Sequence, residues 1–173
     1  MKITKLLTRL LLTCSLITPY FCLAQCPLKK VKSAQGTVTQ TTENYWYKRD
    51  GINYNALSIV CLHLKAHDQP VYRLKIKYTS TDVSDVKGLK FLSADSASIM
   101  CPIILTGKQQ IDNPAFNVRI YRVDLNADNL KFLTLHLLKS LIVIRSADNT
   151  ETEIGVEDGA FLIQQLNCLQ KLK

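Results

Sequence analysis

Six glycines in 173 residues, none of them in a clustered run, leave this chain without a phosphate-cradling loop. It has no G-x-S-x-G turn, no cysteine beside a basic partner and no pair of carboxylates in a cleft-forming loop, so the usual sequence marks of nucleophilic and acid–base catalysis are missing. No two cysteines stand at C-x-x-C spacing, which removes zinc-ribbon and thioredoxin-type redox readings. A low-complexity tract, a repeat of fixed period and a Pro/Gly/Ser linker are all wanting, and one core is therefore expected. Beyond residue 24 no stretch reaches the roughly 20 apolar residues of a spanning helix. The nearest, 133–144, carries His136 and Lys139, so no transmembrane segment is expected in the mature chain.

The first residues read as an export signal. Lys2, Lys5 and Arg9 make a positive leader, and apolar stretches at 10–17 and 20–23, broken by Pro19, run up to small Ala24. Cleavage after Ala24 divides the sequence into a signal peptide, 1–24, and one exported domain, 25–173, whose 149 residues suit a single folding unit. The expected location is periplasmic or secreted. A competing reading makes Cys26 the lipid-bearing first residue of a lipoprotein, because Leu23 and Ala24 precede it as in a lipobox. Gln25 argues against that, since the position before a lipidated cysteine takes a small residue.

The leader removes three of the 22 basic residues and none of the 14 acidic ones, leaving the mature domain at +5. Lys29, Lys30 and Lys32 cluster near the new N-terminus, but the remaining cations intersperse with acids, and no nucleic-acid partner is expected. Cys14 and Cys22 leave with the leader, while Cys26, Cys61, Cys101 and Cys168 stay. An even count in an exported chain suggests disulfides, and four cysteines allow three pairings. The expectation is Cys26–Cys61 and Cys101–Cys168, against the alternative that a given cysteine is simply a small buried hydrophobe.

Polar 30–44 reads as an edge strand or an ordered arm. Asp50-Gly51 after Tyr45-Trp46-Tyr47 signals a hairpin whose second strand, 56–64, is apolar on both faces, as a strand covered on each side would be. A turn at 67–70 leads to Tyr72, Leu74, Ile76 and Tyr78 alternating with Arg73, Lys75 and Lys77, the period-two pattern of a strand with one dry face. Further strands are expected at 88–92, 98–105 and 116–125. Asn126 and Asp128 then cap a helix carrying Leu130, Leu133 and Leu137, with Lys139 near its end. A second hairpin turns at Asn149, and a C-terminal helix over 160–172 places Leu162, Leu166 and Leu169 on one stripe. Strands followed by helix, hairpin and helix predict an α+β domain, an antiparallel sheet packed with a helix–hairpin–helix C-terminal unit; the alternative is a β-sandwich with a terminal helix.

His63 and His67 stand four apart beside Asp68, but a strand and a turn do not hold them at helical spacing, and no third ligand follows. Residues 124–128 match the D-x-[DN]-x-[DN] opening of a calcium loop, yet Asn129 replaces its glycine and Leu135 its bidentate glutamate. No metal or cofactor is expected. The remaining candidate is Tyr45-Trp46-Tyr47 with Lys48 and Arg49, aromatics suited to stacking on a sugar or peptide beside cations suited to an anionic group. On a strand Tyr45 and Tyr47 share one face and Trp46 takes the other, so at least one ring belongs to the core. Two functions fit this inventory. One is a non-catalytic binding or interaction module for a protein, peptide or glycan of the cell envelope, the favoured reading; the other is a small secreted hydrolase whose residues meet only in three dimensions.

Overall fold

The computed structural model describes residues 27–33, 36–66 and 69–172. The expected leader, Cys26, His67 and Asp68 lie outside them. In chain order the elements are β1 (Lys29–Ser33), β2 (Gly36–Gln40), β3 (Asn44–Asp50), β4 (Asn53–Ala66), β5 (Gln69–Ser80), β6 (Val86–Ser93), β7 (Ser98–Pro102), β8 (Ile104–Gln109), β9 (Asn117–Asp124), α1 (Ala127–Leu135), β10 (Leu138–Arg145), β11 (Glu151–Gly155) and α2 (Phe161–Gln170). Antiparallel sheet dominates, with two helices, one of them C-terminal.

The strands form two sheets. The larger runs β1-β2-β4-β5-β9-β8, with β3 also paired to the long β4; the smaller runs β11-β10-β6-β7. Leu57, Ile76, Tyr78 and Tyr121 of the first and Val86, Leu89 and Val143 of the second line one small apolar interior space. Leu133 of α1 and Phe161, Leu162, Leu166 and Leu169 of α2 complete the same core. The expectation of one sheet with helices on a face therefore needs correction. The hairpin β10–β11 is not a separate helical cap, because β10 also pairs with β6 and so belongs to the second sheet.

Several boundaries move for identifiable reasons. Within polar 30–44 the described residues form the paired strands β1 and β2, with Gly36 at φ +106° opposite Ser33, and the start of β3. At the next hairpin Asp50 pairs with Asn53, so the two turn residues are Gly51 and Ile52 rather than Asp50 and Gly51. Only Gly51 has positive φ there, which matches a glycine at the first central position of a II′ turn. The expected strand over 98–105 breaks at Ile103, where the chain leaves β7 in one sheet for β8 in the other. The first helix stops at Leu135, although leucines continue at helical spacing, because Leu138 is drawn into pairing with Ser93 across the second sheet.

In β5 the alternation holds: Leu74, Ile76 and Tyr78 are buried while Lys75 is exposed. Coverage of β4 on both faces does not. Leu57, Ile59 and Cys61 enter the core, whereas Val60, Leu62 and Leu64 on the opposite face are half-buried. That outward face of the larger sheet is where the candidate site lies.

Two contacts seat α2. Thr41 Oγ1 donates to Gln165 Oε1 at 2.6 Å, and Gln165 Nε2 donates to Thr42 O at 3.2 Å, tying the helix to the link between β2 and β3. At the helix entry Leu138 N donates to Gly159 O at 2.9 Å. A Cβ on Gly159 would sit 2.3 Å from the Leu138 carbonyl oxygen, so only glycine lets the two backbones approach this closely.

Candidate functional site on the outward face of the larger sheet

Register decides which of the five candidate residues share a surface. Tyr45 lies opposite Ser58, Trp46 opposite Leu57, Tyr47 opposite Ala56, Lys48 opposite Asn55 and Arg49 opposite Tyr54. Side chains alternate along β3, so Trp46 turns inward, 7% exposed, and meets Phe161 at 4.3 Å between ring centroids. Tyr45 and Tyr47 turn outward, 56% and 64% exposed. Arg49 shares their face and donates from Nε to Gly51 O at 3.4 Å. Lys48 goes the other way, into a polar groove of about 290 Å³ with Asp50, Asn55, Asp82, Arg145 and Glu151. The sequence cluster thus divides among three environments.

The outward rings do not stand alone. Tyr45 and Tyr47 stack at 6.3 Å, Tyr47 and Tyr54 at 6.2 Å, and Phe116, arriving before β9, meets Tyr54 edge-on at 5.3 Å. All are within the range in which aromatic pairs attract. The Tyr45 and Tyr54 hydroxyls are hydrogen-bonded to each other, which closes the three tyrosines into one unit. Burial, followed by that hydroxyl contact, pushes the Tyr45 phenol up to about 12, so it stays neutral and its O–H remains available to bond.

Beside this band the same face becomes polar and basic. The cross-strand rows run Tyr45, Ser58, Lys77, Ile120 and, two residues along, Val60, Lys75, Arg122, Ile104. A groove of about 300 Å³ opens there, lined by Thr41, Glu43, Ser58, Lys75, Lys77 and Gln109 among others. Ser58 donates to Glu43, whereas Arg73 and Arg122 share Asp124. Among the described residues Lys75 and Lys77 have no carboxylate within ion-pairing distance. Arg49, Arg73, Lys75, Lys77 and Arg122 on this face, against Glu43 and Asp124, make it electropositive.

Tyr54, Phe116, Lys75 and Lys77 are the site residues that sequence reasoning missed. Tyr54 had a usable signal: with the two-residue turn at Gly51-Ile52 fixed, it falls opposite Arg49 and diagonal to Tyr47. Lys75 and Lys77 were visible as the wet face of a strand, but nothing local places that face beside the tyrosines. Phe116 comes from a loop far away in sequence and left no signal.

Other constellations resolve into structural roles. Ser93, Asp95 and His136 converge, with His136 Nδ1 3.3 Å from Asp95 Oδ2 and the Ser93 hydroxyl donating to Asp95 Oδ1. The carboxylate lies between the other two, so the serine–histidine bond that would activate a nucleophile is not made. Ser93 instead shapes its turn, donating to Ala97 O at 2.8 Å. His63 is buried against Tyr72, and burial, then nearby Lys65, lowers its pKa. No group of three metal-ligating side chains occurs among the described residues. In the calcium-like run Asp124 ends β9 in ion pairs with Arg73 and Arg122, and Asn126 caps α1 by accepting from Asn129 N at 2.8 Å.

The cysteine pairings need correction. Cys61 and Cys101 are free, fully buried thiols, so neither Cys26–Cys61 nor Cys101–Cys168 is formed. Both side chains face the core from strands, as small apolar groups do. Cys168, in α2, is disulfide-bonded. No helix among the described residues is long and apolar enough to cross a membrane.

Compared with protein-family models, with curated proteins and with solved structures, the chain matches none.

Proposed function

We propose that this protein is a small exported module of the cell envelope that binds its ligand without chemistry, through the outward face of the larger sheet. One observation carries the reading: four aromatic rings from β3, β4 and the loop before β9 form a continuous band beside an electropositive groove, Tyr45 and Tyr47 exposed and Tyr54 and Phe116 half-buried. Exposed aromatic side chains that pack on one another cost the fold solvent-exposed apolar surface, and contiguous surfaces of this kind mark interaction sites. Their backing is firm. Trp46 locks β3 into the core, so the rings are presented on a paired strand rather than on a loop.

Export before function belongs to the same proposal: the leader 1–24 is removed, the domain matures where thiols oxidise, and the bridged Cys168 fastens the last helix.

Equilibrium binding on arrays of immobilised glycans and peptides tests the reading, using the mature protein and a Tyr45→Ala/Tyr47→Ala variant. The native protein is expected to retain a ligand that the variant loses, while the variant keeps the native circular dichroism and a cooperative unfolding transition. A ligand that both proteins retain equally moves the site elsewhere. Release of cleaved product from the array would favour the secreted hydrolase instead.

A further inference from the structure

Resting on that binding reading, we infer that the ligand is a carboxylate-bearing glycan strand, a polyuronate type of chain, laid across the larger sheet from the tyrosine band to Lys77 and Lys75.

Three features of the face select this chemistry. The first is the band itself: neighbouring rings stacked 24° to 30° from parallel make one aromatic surface, exposed at Tyr45 and Tyr47, against which the apolar face of a pyranose can pack. The second is the floor between band and lysines. Ala56 and Ser58 are small and buried, the Thr41 and Ser58 hydroxyls are held by Gln165 and Glu43, and Gln40 and Gln109 line the groove with amides, side chains that bond to sugar hydroxyls. The third is charge. Lys75 and Lys77 face the groove unpaired by carboxylates, and Lys77 lies two strands from Tyr45, about 10 Å at ordinary strand spacing. A chain stacked on the tyrosines therefore delivers its next acidic substituents to ammonium groups not already neutralised.

A peptide that pairs through its main chain would take the open edge of β3, which pairs only with β4 among the described strands. The floor of the groove is β4 and β5, whose backbone groups are already paired with each other along twelve residue pairs, so a ligand laid across it is read through side chains.

The test is titration of the mature protein with oligogalacturonate and oligomannuronate, with neutral maltohexaose and acidic poly-L-glutamate as the competing chemistries. Binding of at least one uronate oligomer is expected. It should weaken about tenfold for Tyr47→Ala, the order seen on truncating an anchoring aromatic, and weaken again as salt rises from about 0.05 to 0.5 M, where surface charges are screened. Lys77→Gln should lessen that salt dependence while leaving the fold's circular dichroism unchanged. Binding of maltohexaose as tight as that of either uronate, or of poly-L-glutamate with the same dependence on Tyr47, overturns the polyuronate assignment and leaves the binding face standing. No response to any of the four, or responses indifferent to Tyr47→Ala, overturn both.

Discussion

Trp46 packs against Phe161 with ring centroids 4.3 Å apart, joining the third strand to the C-terminal helix across more than a hundred residues of chain. That contact fixes the parity of β3. With Trp46 held inward, Tyr45 and Tyr47 have no alternative but to face water, because a one-residue slip would reverse every side chain on the strand.

Mutation of the two kinds of ring should therefore separate stability from binding. Trp46→Ala is expected to cost about 3–5 kcal/mol in urea unfolding, the usual range for removing a large buried aromatic. Tyr47→Ala, at an exposed position, should cost less, about 1 kcal/mol, from the ring pairs it leaves. Equal losses from the two would mean that Tyr47 is part of the core.

Thiol chemistry offers a second check. Burial pushes both Cys61 and Cys101 up to about 12, so at pH 8 neither presents a thiolate, and neither is accessible. Iodoacetamide should leave both unmodified in the native protein and label both in guanidinium without reductant. Cys168 should label only after reduction. Peptide mapping that found Cys61 or Cys101 cross-linked in the folded protein would contradict this arrangement.

Acid sensitivity follows from the loop between β5 and β6. Asp82 accepts from the backbone N–H and the hydroxyl of Ser84 and pairs with Arg145, and these contacts hold its carboxyl down at about 2, led by the Ser84 bonds. A folded-state value below the unfolded one means that the folded protein binds the proton less readily. The stability it contributes is present above about pH 4 and is lost as pH falls toward 2. Asp82→Asn should be less stable than native at pH 7, and the gap should narrow across that interval in denaturant melts. A gap that stays constant with pH would remove Asp82 as the origin.

Much of this architecture was legible from residue patterns, and the failures have physical causes. The alternation in β5 was readable because one face is dry and the other wet, and Asn149 was readable as a turn because its side chain tolerates the positive φ it adopts, +59°. The division of 98–105 into β7 and β8 was not readable, since both halves are strand-like and only the choice of partner sheet separates them. Leucine spacing overran the true end of α1 because periodicity records a buried stripe and not the competing pairing of Leu138 with Ser93. The site was half legible. Local alternation sorted Tyr45 and Tyr47 from Trp46, but the band is completed by Tyr54 and Phe116 and the groove by Lys75 and Lys77, whose convergence is a matter of register across three strands.

The most direct measurement is chemical-shift mapping of isotopically labelled mature protein as an oligouronate is added. The account predicts that ring resonances of Tyr45, Tyr47 and Tyr54 and the side-chain signals of Lys75 and Lys77 move together in one saturable transition, while β11 and α1 stay still. Saturable shifts confined to the smaller sheet or the helices, with the tyrosine rings unmoved, would contradict it.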